Sequence, residues 1–331
     1  MCIYKQIKHR VLEDYTERLD EANEAIDRIF QLASQAHLGL SESLAFTPTN
    51  ETDTVVVYNS LAHDRSEVVR VDFVRRKGVT TIPSVVDSNG QAVPAQLKVN
   101  DEIISQLTVS ASPAAPYEDS LYFVAQVPAL GYATYQLVFA ATNSTTTVAP
   151  TVTMRAETLT SEHVVASFDA STGVLSSIKN VALNYEVAAS QNYWQYVDGV
   201  GGAYCLVEQN EAVAVAGPLA VHTTSGPIFS EVVQSYSYGN GLQQRVRLGP
   251  HDHHLEVKHE VGMLEGGREL VSRIVTNLDT QGTLFNDDSG FKEYRKRQRN
   301  ETGSIAQNYH ALVQVITLDL REKEEKRAKI F

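Results

Sequence analysis

The sequence predicts a mainly β protein: an amino-terminal helix, a small β-sandwich and then a larger antiparallel β-sandwich. Apolar and polar residues alternate over short segments from residue 54 onward, and turn residues separate these segments. Strong helical periodicity is found in residues 4–36 and otherwise only near the carboxyl terminus. With 331 residues, 43% of them hydrophobic, the chain can bury cores for roughly two or three domains.

Residues 4–36 predict one amphipathic helix, which we expect to end at Gly39. Its apolar positions recur at steps of three and four: Val11, Tyr15, Leu19, Ala22, Ile26, Ile29 and Ala33. One such helix cannot bury its own apolar stripe. We therefore expect a helical neighbour that this sequence does not contain.

Residues 50–140 predict the small β-sandwich. Its expected strands are 54–58, 67–74, 84–87, 92–97, 103–110, 121–127 and 132–139. Asn89 and Gly90 indicate a tight hairpin turn. Residues 141–151 are polar and rich in threonine, which predicts a linker.

Residues 152–318 predict the larger antiparallel sandwich. Its expected strands are 161–169, 174–178, 213–221, 228–238, 242–248, 255–261 and 269–277. Asp169 indicates an Asx-type turn, and Gly173 suits a positive φ in that turn. Residues 319–331 form a charge run that predicts a solvated tail or a short helix.

Composition excludes several classes of function. The net charge of −12 argues against nucleic acid and anionic membranes as partners, whereas a neutral sugar is compatible with it. No apolar run is long enough for a membrane span, and the charged start is unlike a signal peptide. Two cysteines, Cys2 and Cys205, are too few for a disulfide framework or a structural zinc site.

Three groups of residues could carry chemistry. His251, His253 and His254, with Glu256 and His259, could ligate a metal, but their side chains would alternate between two faces of a strand, so surface histidines are the competing interpretation. The acidic pair Asp287–Asp288 could supply glycosidase carboxylates, with a structural turn as the alternative. The aromatic segment that includes Tyr193, Trp194, Tyr196 and Tyr204 could stack on a sugar, with core packing as the alternative.

Three N-glycosylation sequons begin at Asn50, Asn143 and Asn300. All three lie in polar, loop-like stretches, where a glycan can be accommodated. They favour a secretory ancestor for this chain.

Eight segments, in the same order, resemble motifs of the α-mannosidases of glycoside hydrolase family 38, especially the lysosomal type. They are Val11–Leu19, Val55–Leu61, Val127–Tyr135, Phe168–Leu175, Gly202–Tyr204, Gly267–Arg273, Asp287–Gly290 and Gln307–Tyr309. In the second segment, Ser60 stands where the family pattern has proline. The resemblance covers roughly residues 8–318.

The resemblance implies that residues 1–46 are the remnant of a middle helical domain and that residues 152–318 form a galactose-mutarotase-like super-sandwich. It also implies retaining hydrolysis of terminal α-mannosides in glycoprotein glycans, with zinc, a nucleophilic aspartate and an acid/base aspartate. The family places those groups upstream of the matching motifs, so we expect no catalytic residue, no metal ligand and no cofactor in this chain, and no activity from it alone.

By the same resemblance, Tyr204, Arg273 and Asp287 are candidate substrate contacts. The implied partners are mannose-containing glycans and a separate catalytic domain, and the implied location is the lysosome, the vacuole or the cell exterior. Two other hypotheses remain open: a glycan-binding module without catalysis, and a mutarotase-like isomerase built on the His251–Glu256 region.

Overall fold

A computed structural model describes residues 16–22, 24–25, 28, 52–74, 83–98, 118–139, 147–148, 151–197, 211–239, 241–262, 267–280, 282–288, 292–297, 316–319 and 327–330. Residues 16–22 and 24–25 are helical, inside the predicted amino-terminal helix. Leu19, one of its predicted apolar positions, is 63% exposed. Within the described ranges, no helix has the length and apolar character needed to cross a membrane.

Eight strands lie in the first β region. They are β1 (Thr52–Tyr58), β2 (Arg65–Val74), β3 (Ser84–Asp87), β4 (Ala92–Val93), β5 (Ala95–Lys98), β6 (Glu118–Val127), β7 (Tyr132–Val138) and β8 (Thr147–Val148). They form two four-stranded sheets, in the orders β1-β7-β3-β4 and β2-β6-β5-β8. Val85 and Leu137 of one sheet meet Phe73, Leu121 and Phe123 of the other in a common core, as a sandwich requires.

The predicted strand 92–97 is interrupted at Pro94. Val93 ends β4 in one sheet, and Ala95 begins β5 in the other. Proline has no N–H to donate to a strand ladder, so it suits the point where the chain changes sheets. The predicted hairpin turn is present, because the Gly90 N–H donates to Asp87 O at 3.0 Å and Gly90 has φ +75°. The predicted strand 103–110 lies outside the described residues.

The second β region contributes eleven strands. They are β9 (Thr151–Thr153), β10 (Leu159–Thr160), β11 (Val164–Phe168), β12 (Leu175–Asn180), β13 (Tyr185–Val197), β14 (Val213–Ala214), β15 (Ala220–Ser225), β16 (Ser230–Tyr236), β17 (Leu242–Leu248), β18 (Glu256–Val261) and β19 (Arg268–Thr276). One sheet runs β10-β11-β12-β13-β14 with β19 on β13, and the other runs β18-β17-β16-β15-β9. Leu159, Leu175, Val232, Val246 and Leu248 pack between them.

A further sheet has the order β21-β20-β22-β23, formed by β20 (Thr283–Asp288), β21 (Lys292–Arg297), β22 (Ile316–Asp319) and β23 (Arg327–Ile330). Two predictions are wrong here. Asp287 and Asp288 lie in a strand, since β20 pairs with β21 over its whole length. Part of the charged tail is also a strand, because its register sets Ile330 opposite Ile316 and Ala328 opposite Leu318.

The predicted mainly β fold with antiparallel sheets is confirmed. One pairing in the first β region, β5 with β8, is parallel. The predicted domain boundaries and the mutarotase-like character of residues 152–318 stay predictions.

Candidate functional site

Arg273 is the candidate substrate contact that the structure describes in full. Tyr204 and the three sequon asparagines, Asn50, Asn143 and Asn300, lie outside the described residues. For Asp287 the structure describes the backbone, which lies in β20.

Arg273 lies against two aromatic side chains of the neighbouring strand. The register pairs Asn192 with Arg273, so Trp194 and Tyr196 follow on the same face of β13. The Arg273 guanidinium lies over the Trp194 ring, 4.2 Å from its centroid, and its Nη2 donates to the Tyr196 hydroxyl at 3.1 Å. These three residues, of which Tyr196 is buried and Trp194 and Arg273 are half-buried, form the outer aromatic cluster. A guanidinium keeps several N–H donors when it makes one such bond, so the cluster could bind a polar ligand.

Tyr193 belongs to the sandwich core and not to this outer cluster. It is 3% exposed and packs edge-on against Tyr236, with ring centroids 5.0 Å apart. Its hydroxyl donates to Gln244 Oε1 at 2.9 Å and lies 2.5 Å from Nδ1 of His259. Burial raises the pKa of Tyr193, and burial also lowers the pKa of His259. Of the predicted aromatic group, Tyr193 therefore fits the structural interpretation.

A chain of glutamine side chains crosses the same core. Gln244 donates through Nε2 to Gln191 Oε1 at 3.1 Å and to Gln234 Oε1 at 2.9 Å. Gln234 in turn donates to Gly173 O at 2.5 Å. All three glutamines are at most 3% exposed. Sequence reasoning missed this network, although glutamine at core-facing positions of two predicted strands was an available signal.

The histidine cluster does not converge. The histidines at 251–254 lie in a turn before β18, so their predicted arrangement along a strand is wrong. His251 Nδ1 lies 3.1 Å from Glu162 Oε1, and the His253 ring stacks on His163 at 3.6 Å. His259 instead contacts Tyr193 in the core. In the part of the chain that the structure describes, no group of three or more His, Cys, Asp or Glu side chains could hold a metal ion. The histidines at 251, 253 and 259 therefore do not converge on one point, and their arrangement does not fit zinc.

Asp169 forms the predicted Asx-type turn. Its Oδ1 accepts from the backbone N–H groups of Ser171 at 3.0 Å and Thr172 at 2.8 Å, and from both of their hydroxyls. These hydrogen bonds, that of the Ser171 hydroxyl first, lower the pKa of Asp169 to about 2. A carboxylate with such a pKa stays ionised near neutral pH and has no proton to donate.

The structure also joins the two β regions through a buried contact that the sequence did not reveal. The Gln96 carboxamide oxygen accepts from the N–H groups of Ile228 and Phe229, at 3.0 and 3.1 Å. The Tyr122 and Phe229 rings meet edge-on at 4.8 Å. Next to them, Lys98 donates to Glu231, whose side chain has no exposed surface.

Three cations surround Glu231. Besides Lys98, Arg247 Nη2 lies 3.0 Å from Oε2 of Glu231, and Arg245 Nη1 lies 4.0 Å from Oε1. Burial by itself raises the pKa of Glu231, but the charges of Lys98 and Arg247 lower it to about 2. Burial lowers the pKa of Lys98 to about 8. Near neutral pH both partners are therefore charged.

Two of the motif segments named above meet in space. Asn59, 2% exposed, donates through Nδ2 to His63 O at 2.8 Å and to Pro128 O at 3.0 Å. Its backbone N–H donates to Gly131 O at 2.8 Å. The segments Val55–Leu61 and Val127–Tyr135 thus form one hydrogen-bonded corner of the first sandwich.

Comparison with known proteins finds a family model similar to the second β region and part of the sheet that follows it. Residues 159–319 match the sequence model described as "Glycosyl hydrolases family 38 C-terminal domain". The resemblance that the eight motif segments predicted is confirmed.

Three relatives extend the similarity to most of the chain. Human "Lysosomal alpha-mannosidase" is 29% identical over 81% of this chain, and the protein of that name from Bos taurus is 28% identical over 92%. "Alpha-mannosidase" from Canavalia ensiformis is 27% identical over 84% of it. The chain spans 28%, 31% and 30% of the length of these relatives, respectively.

Proposed function

We propose that this chain forms the carboxyl-terminal β part of an α-mannosidase that hydrolyses terminal α-mannosides of glycoprotein glycans, and that it is inactive alone. The match of residues 159–319 to the family 38 carboxyl-terminal domain carries the proposal. The names of all three relatives support the mannoside substrate, and two of those names support a lysosomal location. In this proposal, zinc and the two catalytic carboxyl groups belong to a separate catalytic domain.

Two of the described carboxylates, Asp169 and Glu231, are unsuited to the general-acid role. Retaining hydrolysis needs one carboxyl group that donates a proton and a second, ionised one about 5–5.5 Å away. Asp169 and Glu231, both with pKa about 2, cannot supply the proton. Four hydrogen bonds already occupy Asp169 Oδ1, and three cations surround Glu231.

Hydrolysis of an aryl α-mannoside tests this proposal. The purified chain, with and without added zinc, should release no more aryl alcohol than buffer does. Mixing it with a separately expressed catalytic part of a family 38 relative should restore turnover. Zinc-dependent turnover by the chain alone would overturn the proposed inactivity.

A second candidate function is glycan binding without hydrolysis, and the outer aromatic cluster favours it. Trp194 is the single tryptophan of the chain, so its fluorescence reports on this cluster alone. If the cluster binds glycan, mannose oligosaccharides should change that fluorescence, and Arg273→Ala should weaken the response. Calorimetry that shows no heat up to millimolar sugar counts against this function.

A further inference from the structure

A cleft of about 640 Å³ lies between the two β regions, and the outer aromatic cluster is not part of its lining. The sheet with the order β2-β6-β5-β8 supplies one wall, and β17 and β18 supply the other. Arg70 and Ser120 line the first wall, and Arg245 and Lys258 line the second. We call it the inter-sheet cleft. Its volume lies within the roughly 300–1,000 Å³ of small-molecule sites.

Two cations of the inter-sheet cleft are held in place without a ligand. Lys98 and Arg247 line the cleft, and both contact the buried Glu231 carboxylate. The Arg247 guanidinium also lies 3.9 Å from the centroid of the Phe229 ring. Side chains fixed in this way lose little conformational entropy when they bind a ligand.

The walls carry many charges, but the cations have carboxylate partners. Arg70 Nε lies 2.7 Å from Asp72 Oδ1. Arg245 Nε and Lys258 Nζ lie 3.3 and 3.4 Å from Glu260 Oε1. An anionic ligand would compete with these carboxylates for the arginines and lysines. A cationic ligand would compete with the arginines and lysines for the carboxylates. The charge pattern therefore favours a ligand without net charge.

The paired groups still have hydrogen-bonding capacity. A guanidinium offers five N–H donors and a carboxylate about four acceptor positions, so one ion pair leaves several of them free. Donors and acceptors alternate along the second wall, where Glu256, Lys258 and Glu260 point into the cleft from one strand. Sugar hydroxyls both donate and accept, so a polyol can use such an alternating wall.

From this geometry we propose that the inter-sheet cleft binds a neutral oligosaccharide. The choice of a mannose glycan as the probe rests on the proposed function, whereas the site and the class of ligand rest on the charges and shape of the cleft. A glycan held there would contact both β regions at once. Its binding would therefore stabilise their association.

Calorimetric titration of the full chain with an α-linked mannopentaose tests the site. Arg70 and Lys258 are exposed, with 53% and 60% of their side chains accessible, so the double variant Arg70→Ala/Lys258→Ala should fold. We expect binding to the wild type and binding about tenfold weaker to this variant, because each change removes charged hydrogen-bond donors. Arg155→Ala is the matched control: Arg155 is 76% accessible and pairs with Glu157 outside the cleft.

Three results would overturn the inference. They are no binding by the wild type, equal binding by the double variant, and binding of inorganic phosphate that the double variant loses. If Arg273→Ala abolishes glycan binding and the double variant does not, the glycan binds at the outer aromatic cluster. The hydrolysis assay is a separate measurement, so failure of the proposed function would leave this binding test intact.

Discussion

Glu231 in β16 is fully buried against Lys98 from β5, a residue 133 positions earlier in the chain. The contact joins a sheet of the first sandwich to a sheet of the second. Lys98 and Glu231 are 10% and 0% exposed, so water screens their charges little.

Removing one member of the pair should destabilise the protein by about 3–5 kcal/mol, because the other charge stays buried. We expect Glu231→Gln to cost more than Lys98→Met. In Lys98→Met the carboxylate still has Arg247, whereas Glu231→Gln leaves Lys98 close to two arginines. Urea unfolding of both variants, with the surface variant Arg155→Ala as control, measures the difference. A loss below about 1 kcal/mol for Glu231→Gln would contradict this prediction.

Acid should weaken the protein in a defined pH window. The folded pKa of Glu231, about 2, lies below its ordinary value of 4.5, so its contribution is fully present above pH 4.5 and is lost as pH falls toward 2. Asp169 titrates in the same window. Wild type and Glu231→Gln should therefore be compared by urea unfolding across it, since Asp169 is common to both. Glu231→Gln should lose less unfolding free energy than the wild type as pH falls. Parallel plots of unfolding free energy against pH would refute the assignment of this acid sensitivity to Glu231.

Gly173→Ala should be more damaging than Gly90→Ala, although both glycines have positive φ. A Cβ on Gly173 would lie 2.5 Å from Cγ2 of Val221, whereas a Cβ on Gly90 meets no atom within 4 Å. We expect Gly90→Ala to lower the unfolding free energy by about 1–2 kcal/mol through backbone strain. Gly173→Ala should lower it by about 1–3 kcal/mol more, through overpacking. Urea unfolding of the two variants gives the ranking. Equal losses would mean that the clash with Val221 relaxes freely.

Gln244→Leu should destabilise the core by more than about 2 kcal/mol. The change keeps most of the volume but removes the amide that donates to Gln191 and Gln234, and so leaves buried acceptors without those bonds. Gln126→Leu is the control, because Gln126 is exposed and its side chain donates to the exposed Ser66 hydroxyl. It should change the unfolding free energy by less than about 0.5 kcal/mol. Unfolding free energies that are the same for both variants would contradict a structural role for the network.

Strands with a simple alternating pattern were predictable. In β2, Val69, Val71 and Phe73 face the core, as their spacing indicates. Strand β13 was not predicted, because two of its core-facing residues, Gln191 and Tyr193, are polar side chains that find hydrogen-bond partners on other strands. Hydrophobic periodicity detects a strand by its apolar residues. A polar residue that is buried and hydrogen-bonded in the core breaks this pattern, so the strand that contains it is not detected.

The sequence by itself determined the mainly β class, the turns at Gly90 and Gly173, and the resemblance to family 38. These features depend on neighbouring residues or on motif order, and both can be read along one chain. Only the tertiary structure decided that Arg273 lies over Trp194, that Glu231 meets Lys98, and that the histidines diverge. Such contacts depend on which strands pair and which sheets face each other, and these are set by packing between residues far apart in the chain.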